Sequence, residues 1–155
     1  MGEIRKRLSE LGIELPAVRP ALGAYIDVCI ADGLAFVSGK LPLREDGSLL
    51  YAGKLGCEVR FEEGYAAAEL CARHILACLE EALGDLDRVR QIVRVGGFVA
   101  VADGFTDIPK VVNGASELFI KVFRDAGRHS RAAIGVAALP LGAPVEIEAL
   151  AAVAP

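Results

Sequence analysis

Two stretches of helical periodicity, each set between strand-like runs, constrain the fold of this chain most strongly. In residues 61–83, apolar side chains recur three and four positions apart and so share one helical face: Cys71, Ile75, Cys78, Leu79 and Ala82. A second helix is predicted from Thr106-Asp107, a good N-cap with Pro109 in the first turn, to Gly127. Strands that alternate with such helices fold into a sheet covered by helices.

The strand-like runs before and between the helices predict a hairpin and a central strand. Residues 25–30 and 34–38 flank Asp32-Gly33, a dipeptide typical of a tight hairpin turn. The β-branched run 89–101 predicts a central strand, and its Gly96-Gly97 pair predicts tight packing of the backbone.

The last two strand-like runs predict a second hairpin. Residues 131–138 and 145–152 are joined by a segment rich in proline and glycine. If that hairpin turns near Leu141-Gly142, Glu146 lies opposite Ala137, roughly 20 Å along the strand from Arg131 at about 3.3 Å per residue. The predicted fold is thus α+β, a mixed sheet of order ββαβαββ with two helices on one face.

The N-terminal residues predict a short addition to this domain. Residues 2–15 place Ile4, Leu8 and Leu11 at helical spacing among charged side chains, and Pro16 and Pro20 then indicate a linker. We therefore expect a helical extension and linker over residues 1–19 and a single domain over residues 20–155.

Composition and charge limit the classes of partner. The formal net charge is -4, and lysines and arginines form no cluster of the kind that binds nucleic acid. No apolar stretch reaches the roughly 20 residues that span a bilayer, and the first residues lack the apolar core of a signal peptide. We therefore expect a cytoplasmic protein with no nucleic-acid or membrane partner. Because 54% of the residues are hydrophobic, an apolar sheet face covered by further copies of the chain is also expected.

The spacing of the cysteines and histidines indicates residues that pack in the core rather than residues that bind a metal or take part in catalysis. Cys71 and Cys78 lie seven residues apart in the first helix, which predicts reduced core thiols, and the absence of a CxxC pair argues against a metal site. His74 is predicted to lie at the boundary of the core and His129 in a loop, structural or exposed. No cofactor-binding motif is present, so neither a metal nor a cofactor is expected.

The strongest polar candidates lie in the last two strands. The two-residue period of residues 145–149 puts Glu146 and Glu148 on one face, either as a solvated outer face or as paired carboxylates in a site. Arg131 opens the preceding strand and is followed only by small apolar residues. Its guanidinium therefore either caps the sheet or faces a cleft.

Two segments resemble the signatures of a known family. Residues 35–42, AFVSGKLP, are similar to a segment F-x-S-G-Q-I-P. Residues 131–149, RAAIGVAALPLGAPVEIEA, are similar to R-S-x-V-x-V-x-x-L-P-x-x-x-x-V-E-I-E-A. Both signatures are those of the YjgF/RidA family of reactive intermediate deaminases, and the resemblance extends over about residues 20–153.

This resemblance implies a chorismate-mutase-like homotrimer whose inter-subunit clefts bind a small carboxylate and hydrolyse enamines and imines to 2-keto acids and ammonia. By the resemblance, Arg131 would hold the carboxylate and Glu146 would act on the attacking water. The separation of roughly 20 Å expected for a final hairpin adds that these two residues would meet only across a subunit boundary. The other site residues implied are Tyr25 and Ser38 in the catalytic set and Gly39, Asn113 and the backbone N–H of Ala133 in substrate binding.

Two alternatives to a deaminase remain open at the level of sequence. The first is a trimer that binds 2-keto acids and turns nothing over. The second is a ribonuclease or translation inhibitor, which the acidic balance of the chain disfavours. Lys40 stands where the family usually has Gln, and it is either a solvated loop charge or a group that adapts the anion site to a larger acidic substrate.

Overall fold

The computed structural model describes residues 2–155 and has the predicted order of elements. The elements are α1 (Glu3–Glu10), β1 (Val28–Ala31), β2 (Leu34–Lys40), α2 (Phe61–Leu83), β3 (Val89–Ala100), α3 (Ile108–Phe123), β4 (Ser130–Val136) and β5 (Val145–Val153). After α1 this is the order ββαβαββ, which confirms the predicted α+β class.

The five strands form one mixed sheet in the order β1-β2-β5-β3-β4. Only β3 and β4 are parallel, and α3 is the crossover that joins them, as parallel neighbours require. Helices α2 and α3 pack on each other as well as on the sheet. Gly114 permits this close approach, because a Cβ at that position would collide with the carbonyl oxygen of Tyr65.

The predicted pairing of the last two strands is wrong, because β3 lies between β4 and β5. Glu146 lies opposite Phe98 of β3 rather than Ala137, and Phe98 lies opposite Ile134 of β4. The crossover through α3 places β4 at the outer edge of the sheet, so β5 returns on the far side of β3. Arg131 and Glu146 are thus two strand spacings of about 4.8 Å apart across the sheet, and about 10 Å apart along it.

The two faces of the sheet differ in what covers them. On β5, Val145, Ile147 and Ala151 are fully buried on the side of the helices, whereas Glu146 and Glu148 share the opposite side, as the period of two predicts. We call that opposite side the open face. It carries apolar side chains in register, Phe36 opposite Leu150 and Phe98 opposite Ile134, and Phe36 and Ile134 are 47% and 49% exposed.

Helix α1 is shorter than predicted, ending at Glu10, and it packs into the same core as the rest of the chain. Leu8 is 1% exposed. The carboxylate of Asp87 accepts the backbone N–H of Glu3 at 2.6 Å and that of Ile4 at 2.7 Å, which caps the first turn from outside the helix. None of the helices within residues 2–155 is both long and apolar enough to cross a membrane.

Candidate functional site

Arg131 lies near the start of β4 and is held by α3. Its register partner is the buried Val95 of β3, so the side chain points to the helix side of the sheet. Nη1 donates to Asn113 Oδ1 at 2.7 Å and to Ser116 Oγ at 3.1 Å, and Nη2 donates to the carbonyl oxygen of Pro109 at 3.2 Å. All the acceptors come from α3, and all are neutral.

The charge of Arg131 has no carboxylate partner within residues 2–155. Partial burial lowers the pKa of Arg131, yet a guanidinium stays protonated in proteins. The Nε–H and one of the two Nη2–H groups donate to no atom of the described residues, and Nε and Nη2 together form one edge of the guanidinium. Two parallel donors on one edge match the two oxygens of a carboxylate.

Asn113 and Ala133 lie beside this guanidinium. The side-chain oxygen of Asn113 holds Arg131, so its amide nitrogen remains as the donor that it can offer to a ligand. Ala133 is two residues further along β4, opposite Gly97, and so lies on the same face as Arg131. Because β4 is an edge strand, the N–H groups on its outer side have no neighbouring strand.

Glu146 lies in a different place, at a cavity of about 610 Å³ that is also lined by Tyr25 and Gly39. A Cβ on Gly39 would collide with the carboxylate of Glu146, so glycine at this position lets the carboxylate lie where it does. Burial raises the pKa of Glu146, and the nearby charge of Glu148 raises it further. This carboxyl group therefore gains and loses a proton closer to neutral pH than an exposed glutamate does.

Ser38 directly precedes Gly39 in the sequence but does not line this cavity itself. Its hydroxyl donates to the carbonyl oxygen of Ile26 at 2.7 Å and fixes the segment that leads into β1. Ser38 instead borders a recess of about 370 Å³ beside Phe36 and Glu148, on the open face.

Lys40 forms an ion pair that the sequence did not reveal. It ends β2 and pairs with Asp27, and the two side chains are only 13% and 19% exposed. Lys40 is therefore not a solvated loop charge. Both residues line the cavity of Glu146, where their charges balance. The polar residue Asp27, just before β1, was a signal that could have suggested a partner for Lys40.

The two histidines are both hydrogen-bonded. His74 is 8% exposed, and its Nε2 lies 2.8 Å from the carbonyl oxygen of Leu43; burial lowers the pKa of His74. His129 contacts Ser116 through Nε2 at 2.9 Å and Gly127 through Nδ1 at 2.6 Å. Ser116 was missed by the sequence analysis, although its position three residues after Asn113 places it on the same side of α3.

The predicted site residues thus fall into two groups within one chain. Arg131, Asn113 and Ala133 form the first group, between β4 and α3, and Glu146, Tyr25 and Gly39 form the second, around the cavity. Arg131 does not line that cavity. Within residues 2–155 no three His, Cys, Asp or Glu side chains gather as metal ligands would.

Comparison with known proteins identifies relatives over nearly the whole chain. The family model described as "YjgF/chorismate mutase-like, putative endoribonuclease" matches residues 5–152. Protein TCP17 of Trypanosoma cruzi is 41% identical over 96% of this chain and 93% of its own. The Atu1372 structure from Agrobacterium tumefaciens is also 41% identical, with a TM-score of 0.90 over 97% of this chain and 92% of that chain. The structure of TdcF from E. coli is 20% identical and shares the fold, with a TM-score of 0.65 over 91% of this chain and 97% of that chain.

Proposed function

Because this chain belongs to the YjgF/chorismate mutase-like family, we propose that it is an imine and enamine deaminase. Its substrate is a small 2-imino acid, or the 2-aminoacrylate-type enamine that tautomerises to one, and its products are a 2-keto acid and ammonia. The reaction takes place in a cleft between two subunits of a homotrimer, and it uses no cofactor.

The charge of Arg131, which has no carboxylate partner within residues 2–155, supports this proposal most directly. A guanidinium held only by neutral acceptors keeps its full charge for an anion from outside the chain. Its free Nε–H and Nη2–H bind the two oxygens of the substrate carboxylate, and the Ala133 N–H supports the same anion. A ligand anchored in this way presents its C=N carbon in one orientation, which is what proximity catalysis requires.

Glu146 supplies the proton transfers. The oxygen of a water molecule bonds to the carbon of the protonated imine, C=NH2+, while Glu146 takes one proton of that water and the electron pair of the C=N bond moves to nitrogen. Glu146 then returns the proton to nitrogen, the C–N bond breaks, and the hydroxyl proton leaves with ammonia as ammonium while the C=O bond forms. A carboxyl group whose pKa is raised toward the working pH suits both transfers.

A second copy of the chain completes the cleft. Arg131 lies on the helix side of the edge strand β4, while Glu146 shares the open face with Glu148, so one chain does not bring them together. The apolar open face is the surface on which the copies associate. In the assembled trimer, Arg131 of one subunit is expected to point toward the cavity that Glu146 and Tyr25 line in the next.

Binding of a small carboxylate has support beyond this chain. The structure of TdcF, which shares this fold, contains bound serine. A trimer that binds such ligands without turning them over is the second candidate, and it rests on the same unpaired Arg131. The two candidates differ only in turnover.

The test is a continuous assay of imine hydrolysis, with the imine produced from an amino acid by an amino-acid oxidase. The wild-type protein is expected to accelerate release of the 2-keto acid above the spontaneous rate, and Arg131→Ala is expected to remove the acceleration. Arg128→Ala is the matched control, because Arg128 is exposed and pairs with Asp125. Equal rates for wild type and Arg131→Ala would remove the enzyme proposal. Arg131-dependent binding of 2-oxobutanoate without acceleration would favour the non-catalytic trimer.

A further inference from the structure

A chain of hydrogen bonds runs behind Arg131, and the reaction above makes no use of it. His129 Nδ1 lies 2.6 Å from the carbonyl oxygen of Gly127, in the turn that follows α3. His129 Nε2 lies 2.9 Å from Ser116 Oγ, and Ser116 Oγ lies 3.1 Å from Arg131 Nη1. The chain therefore connects the backbone at the end of α3 to the guanidinium.

The chemistry of the four groups fixes the direction of every hydrogen bond. The carbonyl of Gly127 can only accept, so His129 Nδ1 carries the proton and donates it. In a neutral imidazole Nε2 then holds a lone pair, which accepts the hydroxyl proton of Ser116. The lone pairs of Ser116 Oγ are left to accept from Arg131 Nη1, which can only donate.

We propose that Ser116 and His129 are positioning residues, a neutral relay that orients the guanidinium of Arg131 so that its free edge meets the substrate carboxylate. The inference rests on the proposed function, since it concerns the same anion site. Nη1 donates to both Asn113 and Ser116, and these two contacts hold that end of the guanidinium against α3 and away from the ligand.

The surroundings keep the relay neutral. Burial lowers the pKa of His129 and the charge of Arg131 lowers it further, against the effect of the Gly127 carbonyl. From α3 the ring also meets Phe119 edge-on, with ring centres 6.1 Å apart.

The neighbouring carboxylates are engaged elsewhere. Glu117, next to Ser116 on α3, accepts from the Tyr65 hydroxyl at 2.5 Å, and Asp125 pairs with Arg128. Neither acid therefore competes with the ligand for Arg131. A relay of neutral acceptors therefore orients the guanidinium without neutralising its charge, which stays available to the ligand.

The first test measures binding of 2-oxobutanoate by calorimetry. Ser116→Ala is expected to raise the dissociation constant about 3- to 10-fold, the effect of one neutral hydrogen bond. His129→Leu is expected to do the same, whereas His129→Gln, whose side-chain oxygen can accept from Ser116, is expected to stay within about 2-fold of wild type. Ser130→Ala is the control, because that hydroxyl donates to Val93 and not to Arg131. In the imine assay the same variants are expected to raise KM with little change in kcat.

The outcomes separate this inference from the proposed function. If wild type binds the keto acid and Arg131→Ala does not, yet Ser116→Ala binds as wild type, the relay is overturned while the anion site stands. Equal weakening by His129→Gln and His129→Leu also contradicts the relay.

A second measurement tests whether the relay exists even if the keto acid does not bind. Nitrogen-15 NMR of the histidine rings reports the tautomer, and the relay requires a neutral His129 with its proton on Nδ1 near neutral pH. A proton on Nε2, or a charged ring at that pH, would overturn the inference.

Discussion

At the scale of single residues, the geometry of Arg131 matters as much as its charge. An ammonium group would keep the charge but offers no flat edge with two parallel donors. We therefore expect Arg131→Lys to weaken binding of 2-oxobutanoate about 10- to 100-fold, the effect of losing one or two charge-assisted hydrogen bonds. Calorimetric titration measures it, with Arg128→Lys as the exposed control. An unchanged dissociation constant in Arg131→Lys would show that binding depends on the positive charge alone and not on the geometry of the guanidinium.

Glu146 gives a prediction about pH. Its ionised form must take a proton from water, and its pKa is raised by burial and then by Glu148, so kcat/KM is expected to fall as the pH drops through that raised pKa. Glu148→Gln removes one cause of the rise and should move the acidic limb of the pH–rate profile to lower pH. Glu69→Gln, at a half-buried position of α2 where the carboxylate pairs with Arg73, should leave the limb in place. A limb that does not move in Glu148→Gln would contradict this assignment.

The residues of the site could be predicted only in part from the sequence. Arg131, Glu146 and Gly39 lie within the two local motifs that carry the resemblance, whereas Tyr25 lies outside both and was only implied by the family. The pairing of Lys40 with Asp27 and the contact of Ser116 with Arg131 could not be predicted. The first pair is 13 residues apart in sequence and the second 15, and each comes into contact only once the sheet and helices have folded.

At the scale of elements, α1 depends on a side chain far along the chain. Asp87 accepts the first two N–H groups of that helix, which otherwise have no partner inside it. Asp87→Ala is therefore expected to lower the free energy of unfolding by about 1–2 kcal/mol, a typical loss for a helix cap. Urea unfolding at equal protein concentration measures the change. Asp103→Ala, at an exposed position, is the control, and equal stability of the two variants would contradict the capping role.

The ion pair of Asp27 and Lys40, which lines the cavity, gives a second prediction at this scale. Lys40→Met leaves the mostly buried Asp27 without its partner and is expected to cost about 3 kcal/mol of stability. The double variant Asp27→Asn with Lys40→Met removes both charges and is expected to recover most of that loss. Urea unfolding of the two single variants and the double variant completes the cycle. Additive losses would show that the two charges do not interact.

Element order and helix faces followed from local periodicity, which explains why α2, α3 and β3 were predicted well. The pairing partners of the strands did not follow from local periodicity. Residues 131–138 and 145–152 are close in sequence and look like a hairpin, but the parallel pairing of β3 with β4 depends on α3, so β3 separates them. No local pattern reveals that order.

At the scale of the whole molecule, the open face is the surface on which we propose that copies of the chain associate. Ile134 is 49% exposed on that face, and Ile120 is 36% exposed on α3, on the helix side. We expect Ile134→Asp to reduce the mass seen in sedimentation velocity from trimer toward monomer and to remove activity with it, because a charge cannot be buried there without a partner. Ile120→Asp should leave both unchanged. A trimer that persists in Ile134→Asp would place the interface elsewhere.

We propose that each catalytic cleft takes Arg131 from one subunit and Glu146 from its neighbour. Arg131→Ala and Glu146→Gln trimers are each expected to be inactive in the imine assay. When the two are unfolded together and refolded, random assembly gives about one quarter of the clefts an intact Arg131 and an intact Glu146. Activity is then expected to return to about one quarter of the wild-type level. A mixture that assembles into trimers and stays inactive, beside a wild-type sample that refolds with full activity, would contradict the shared cleft.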